Sequence, residues 1–175
     1  MRLQYSGPRS VLSLSERFEL SWRALGTGDA GASRCQRPDS CGELRGVTGL
    51  NQVLLIDDNP LQLSVREVVL RTAGFQVSVA TTAESALATL RSLGDRLGVI
   101  VTDHLMPDCS GSELVRQIRR GNDWLPIIVL SGLPEAASEY EGLAVTFRIK
   151  PIPPQELIEL VRSGLAKTTR QRGAA

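Results

Sequence analysis

Five times after residue 50, a short apolar run is followed by a stretch of helical periodicity. The runs are "VLLI" (53–56), "FQVSVA" (75–80), "LGVIVTD" (97–103), "PIIVLS" (126–131) and "AVTFRI" (144–149). Strands that alternate with helices pair in parallel through right-handed crossovers. A strand covered by helices on both faces must be apolar throughout rather than at every second residue, and these runs are. The alternation therefore predicts an α/β protein: a doubly wound, five-stranded parallel sheet.

The intervening stretches supply the helices and their stops. Asn59 and Pro60 suit an N-cap and first helical position, and Gly74 suits a stop. Between them, Leu61, Val65, Val68 and Val69 share one face, which is expected to pack inward. Thr81 and Glu84 have capping-box spacing ahead of Ala86, Leu87, Leu90 and Leu93. A third helix over 111–120 carries Leu114, Val115 and Ile118, and "PEAASEYEG" reads as a short, weak fourth. The last carries Leu157, Val161 and Leu165. The folded domain is expected over 51–166, with a flexible tail over 167–175. Residues 1–50 are rich in Gly, Ser and Arg with few clustered apolar residues. They read as a largely disordered leader or as an extension from a mistaken upstream start codon, with one short helix over 11–25.

A net charge of +1 over 175 residues gives no electrostatic reason to expect nucleic acid or a membrane surface as partner. No run approaches the roughly 20 apolar residues a membrane helix needs. Glu16 and Arg17 interrupt any signal-peptide core. Cys35, Cys41 and Cys109 are odd in number and lack CxxC spacing, which fits free thiols in a reducing cytoplasm.

The chemistry collects where the strands end, because doubly wound sheets bind ligands beyond their carboxyl edge. The first run ends in Asp57 and Asp58, the third in Asp103, the fourth in Ser131, and the fifth runs into Lys150. Three carboxylates together are costly without a cation, and hard oxygen donors suit Mg²⁺. A bound Mg²⁺ invites a phosphoryl group, which Lys150 and Ser131 could also contact. Asp103, central and followed by a turn, is the best-placed carboxylate to attack phosphorus.

"LLIDDNP", "VTDHLMPDCSG", "VLSG" and "FRIKP", in this order and spacing across 51–166, resemble the receiver (CheY-like) domain of two-component response regulators. The resemblance implies a flavodoxin-like (βα)5 fold with strand order 2-1-3-4-5. It implies phosphorylation of Asp103 by a histidine kinase or phosphotransfer protein. It also implies Mg²⁺ bound by Asp58 directly, by Asp57 largely through water, and by Asp103 and the backbone carbonyl of Leu105, with Ser131 and Lys150 on the phosphoryl group. Ser131 and Phe147 would form the switch, changing the face made by the fourth helix, fifth strand and fifth helix. That face is also where a homodimer could form. Pro107 and Gly111 match the family's turn after the phosphoacceptor strand, where Gly frees the backbone. Lys150–Pro151 corresponds to a peptide commonly cis in the family.

Leu105 and Leu133 are apolar at two positions that in the family influence water attack on the phosphoaspartate. They are expected to lengthen the phosphorylated lifetime. His104 reads as an exposed loop residue and Cys109 as a loop thiol. With no helix-turn-helix pattern and little chain beyond the last helix, output is expected through protein contacts without nucleic acid or membrane. The chain is expected to act as a signalling module rather than an enzyme with an external substrate. A competing reading is a Mg²⁺-dependent phosphohydrolase of the haloacid dehalogenase type, which uses the same groups. Its signature needs a residue between the two acids, whereas Asp57 and Asp58 adjoin. A third reading is a receiver-like interaction module that is never phosphorylated.

Overall fold

The computed structural model describes residues 52–107 and 109–173. The leader expected over 1–50, with its short helix, lies outside the described residues. The order is β1 (Gln52–Ile56), α1 (Pro60–Thr72), β2 (Gln76–Ala80), α2 (Ala83–Leu93) and β3 (Leu97–Asp103). There follow α3 (Gly111–Arg119), β4 (Ile127–Ser131), a 3-10 helix (Pro134–Tyr140), β5 (Thr146–Ile149) and α4 (Pro154–Arg172). All strand pairs are parallel, in the order β2-β1-β3-β4-β5. This is the flavodoxin-like sheet the motifs imply.

Alternate residues of each strand point to opposite faces, so the continuous apolar runs feed two cores. Leu54, Ile56, Ile100, Ile127 and Val129 pack with Ala86, Leu114, Val115 and Ile118 of α2 and α3. Val53, Leu55, Val99, Val101, Ile128 and Leu130 pack with Leu63 and Leu70 of α1 and Leu157, Val161 and Leu165 of α4. Each of these Leu, Ile and Val side chains contributes about 1.5–3 kcal/mol by leaving water.

The register of α1 corrects one expectation. Leu63 and Leu70 are its buried residues, whereas Leu61, Val65 and Val68 are 73%, 58% and 61% exposed. Two apolar stripes run along this helix at helical spacing, and the longer one faces solvent. The α2 cap also shifts by one residue. Thr82, not Thr81, is the N-cap, and its capping box is completed by Ser85 rather than Glu84. The weak fourth helix is a 3-10 segment, so the expected output face consists of that segment, β5 and α4.

Residues 167–172, expected to be part of a flexible tail, lie within α4. Helix α4 continues because Thr168 Oγ1 donates to Gly98 O at 2.6 Å, and the Arg172 guanidinium lies 4.9 Å from the Trp124 ring centroid. Among the described residues, no helix is long and apolar enough to cross a membrane.

Candidate functional site

Strands β1 and β3 are neighbours, with Ile56 opposite Thr102, so the residues after each lie side by side at the carboxyl edge. Asp57, Asp58 and Asp103 each offer a carboxylate oxygen, and these lie within 4.8 Å of one another. Asp57 and Asp103 are buried, while Asp58 opens to solvent. Clustered carboxylates with one solvent-facing member fit a hard divalent cation that keeps water in its shell.

Lys150 is delivered by β5. Its backbone N–H donates to Ser131 O at 2.7 Å, and its Nζ reaches back to Asp103 Oδ1 at 2.6 Å. The Lys150–Pro151 bond is cis, as the resemblance implies. Ser131 is wholly buried, but its hydroxyl is engaged within its own turn. Oγ donates to Leu133 O at 3.2 Å and accepts from Leu133 N at 3.0 Å. Thus Asp57, Asp58, Asp103 and Lys150 form one cluster, and Ser131 adjoins it with its hydroxyl turned to the loop. Leu105 and Leu133 have exposed side chains, and Pro107 lies in an exposed bend.

Gly111 proves necessary for a reason other than backbone freedom. It opens α3 against the β3 end, with its N–H donating to His104 O at 2.8 Å. A Cβ there would lie 2.6 Å from Asp103 O, 2.7 Å from the Tyr140 hydroxyl and 2.9 Å from His104 Cα. The requirement is close approach, not an unusual dihedral.

His104, Tyr140, Ser112, Glu139 and Arg116 enter the site's surroundings without a clear sequence signal. His104, expected exposed, is buried at 4%, and its Nδ1 pairs with the Tyr140 hydroxyl at 2.9 Å. Burial, and then the charges of Glu139 and Asp103, push the Tyr140 phenol well above its usual range, so it keeps its proton. Its ring packs 5.5 Å from that of Phe147, which is half-buried. Ser112 donates to Glu139 Oε2 at 2.7 Å, and Arg116 donates to Ser112 and to Glu139 O, tying α3 to the 3-10 helix. Cys109 is half-buried, with Sγ 3.4 Å from Ser110 O.

On the opposite side, α1 sends Arg66 to Asp57 as a salt bridge and Gln62 to Lys150 at 3.3 Å. Their spacing of four residues puts both on the stripe beside Leu63 and Leu70. That stripe is recognisable only once the inward face of α1 is known.

Residues 53–162 match the model of the response regulator receiver domain family. The chain is 36% identical over 117 residues to the C4-dicarboxylate transport transcriptional regulatory protein DctD of Pseudomonas aeruginosa, covering 65% of this chain and 25% of that protein. It is 33% identical over 129 residues to response regulator MprA of Mycolicibacterium vanbaalenii, covering 70% of this chain and 54% of that one. This chain thus spans little more than half of MprA and a quarter of DctD.

A response regulator receiver protein from Pseudomonas putida superposes with a TM-score of 0.60 at 31% identity, covering 67% of this chain and 99% of that one. A receiver domain from Clostridium thermocellum gives 0.64 at 23% identity, covering 69% and 98%, a likeness of fold. The expectation of no nucleic-acid partner gains no support here, since DctD is by name a transcriptional regulatory protein. The matched motifs, the strand order and the acid cluster agree: this chain belongs to the response regulator receiver domain family of two-component signalling.

Proposed function

We propose that Asp103 is the phosphoacceptor and that Mg²⁺ is held by Asp57, Asp58, Asp103 and the backbone carbonyl of Leu105. The observation that carries this reading is the cluster itself. The Asp103 carboxylate is paired with the Lys150 ammonium at 2.6 Å and has two further acids within 4.8 Å at the carboxyl edge of a parallel sheet. An Asp103 oxygen attacks the phosphorus of a phosphohistidine on the donor protein. The new O–P bond forms as the P–N bond breaks, and the departing imidazole nitrogen keeps the electron pair. Lys150 and Ser131 neutralise and hydrogen-bond the transferred phosphoryl oxygens. A bound Mg²⁺ supplies further charge for the same oxygens.

The donor is a histidine kinase or phosphotransfer protein, which receiver domains use. It must bring its imidazole to the mouth where Asp58 and Lys150 open to solvent. An apolar groove there is lined by Leu61, Val65, Val69, Lys150 and Ile152, and the exposed stripe of α1 forms one wall. Docking on that stripe explains why a helix keeps three large apolar residues in water.

The aspartyl phosphate then draws Ser131 out of its turn, and Phe147 moves into the space released. The output surface is the 3-10 helix, β5 and α4, read by a downstream protein or by a second copy. Leu105 and Leu133 flank the acceptor and slow hydrolysis by obstructing water, so Leu105→Asn should shorten the phosphorylated lifetime. The reaction belongs to a cytoplasmic signalling module that modifies itself.

Incubation with acetyl phosphate and Mg²⁺, followed by intact mass measurement, tests the reading. A hydroxylamine-labile phosphate adduct that Asp103→Ala abolishes is expected. An adduct that persists in Asp103→Ala, or none in the wild type, overturns the assignment.

A further inference from the structure

We propose that Arg66 is a resident cation of the site, holding Asp57 when no metal is bound and competing with a divalent ion for that carboxylate. This rests on reading the site as a Mg²⁺-dependent phosphoacceptor, and it adds a regulator of the metal step.

Arg66 projects from the middle of α1 and forms a salt bridge with Asp57 Oδ2; its side chain is 12% exposed and that of Asp57 0%. A pair so shielded from water interacts more strongly than a surface pair. The other Asp57 oxygen is also engaged, since Oδ1 accepts the Asn59 N–H at 2.8 Å. Both oxygens of this metal-facing carboxylate are therefore bonded within the protein. A cation binding at Asp57 must share it with Arg66 or displace the guanidinium.

Gln62 makes this arrangement more than a chance contact. Its Oε1 accepts from Arg66 Nη2 at 2.8 Å and from Lys150 Nζ at 3.3 Å, and Lys150 reaches Asp103. A continuous arc, Asp57–Arg66–Gln62–Lys150–Asp103, therefore crosses the mouth of the site. One amide oxygen steadies two cations that would otherwise repel each other, and each cation covers one buried acid.

The charge count sets the direction of the effect. Counted by formal charge, the three carboxylates with Arg66 and Lys150 sum to −1. Without Arg66 the net charge is −2. An incoming divalent cation is attracted less strongly to the pocket that contains Arg66 and is repelled by the guanidinium at close range. Arg66 thus lowers the affinity for Mg²⁺ while stabilising the metal-free fold, where an unpaired buried Asp57 would be costly.

The test compares the full-length wild type with Arg66→Met, which keeps an unbranched apolar stem but removes the guanidinium and its charge. Mg²⁺ is titrated by isothermal calorimetry, and thermal midpoints are read in EDTA and in saturating Mg²⁺. The expected result is a Mg²⁺ dissociation constant about tenfold lower in Arg66→Met, as for removal of a close like charge. Its thermal midpoint should fall in EDTA and recover with Mg²⁺. Gln62→Leu frees the arc but keeps both cations, so it should shift affinity in the same direction by a smaller factor. It also serves if Arg66→Met does not fold.

Unchanged or weaker Mg²⁺ binding in either variant overturns the proposal, because Arg66 would then be orienting Asp57 for the metal rather than competing with it. Failure of the wild type to bind Mg²⁺ saturably or to accept phosphate from acetyl phosphate would instead sink the underlying reading.

Discussion

On the α1 side of Asp103 the neighbours are charges steadied by one amide: Arg66, Gln62 and Lys150. On the α3 side they are a glycine, an imidazole and a phenol, closed off by Glu139, Ser112 and Arg116. The first side is held by interactions that an ion or a phosphoryl group can redistribute. The second is held chiefly by close packing at Gly111 and by the buried His104–Tyr140 hydrogen bond. Perturbing the two sides should therefore yield different phenotypes: altered metal and donor handling on one, lost stability on the other.

The hardest test of that contrast is Gly111→Ala. The added methyl meets backbone atoms of Asp103 and His104 inside 3.0 Å, and backbone cannot swing away as a side-chain end can. A loss of about 3 kcal/mol in urea denaturation is expected, the upper part of the range for overpacking a tight site. A variant as stable as the wild type would mean that this flank yields.

Tyr140→Phe is the next test. It retains the ring packed on Phe147 and removes only the partner of His104 Nδ1. A cost of about 1–3 kcal/mol follows from leaving a buried ring nitrogen unpaired. Mg²⁺ affinity should not move, in contrast to Arg66→Met. A shift in Mg²⁺ affinity would show that the two flanks communicate.

Replacing Leu61 and Val65 together by Asp should change stability by no more than about 0.5 kcal/mol per site, because both side chains already face water. The same variant should slow phosphotransfer from a donor protein while acetyl phosphate still labels Asp103. Equal rates from both donors would remove the α1 stripe from the docking surface.

Glu113→Gln is expected to have the smallest effect. Glu113 caps α3 and is held below its ordinary value of 4.5, chiefly by the Ser110 backbone N–H. A carboxylate with a lowered folded-state pKa adds stability above its unfolded value and loses it as pH falls through the folded one. The variant should thus be slightly less stable than the wild type at neutral pH and equal to it in acid. A difference that persists at low pH would point to packing rather than charge.

Much of this architecture is legible in the chain because strand burial and strand ends leave local marks. "VLLIDD" and "LGVIVTD" announce buried strands that terminate in acids, and the neighbouring positions of β1 and β3 make those acids a cluster. The inward face of α1 is not legible. Leu61, Val65 and Val68 form as good an apolar stripe as Leu63 and Leu70, and only docking against the sheet separates them. The same ambiguity concealed Arg66 and Gln62, whose roles follow from that docking.

The burial of His104 escapes the sequence for a related reason. A polar residue beside a loop reads as exposed unless its partner is visible, and Tyr140 is 36 residues away. The continuation of α4 to Arg172 depends on Gly98 and Trp124, which are equally remote in sequence.

Periodicity and the residues at the edges of apolar runs are enough to specify the sheet, its strand ends and the set of acids with Lys150. Which side of α1 is buried, where His104 lies and which cation holds Asp57 emerge only on folding. Those outcomes turn on contacts between distant segments, and the pairing of a buried charge is settled only when its surroundings have closed around it.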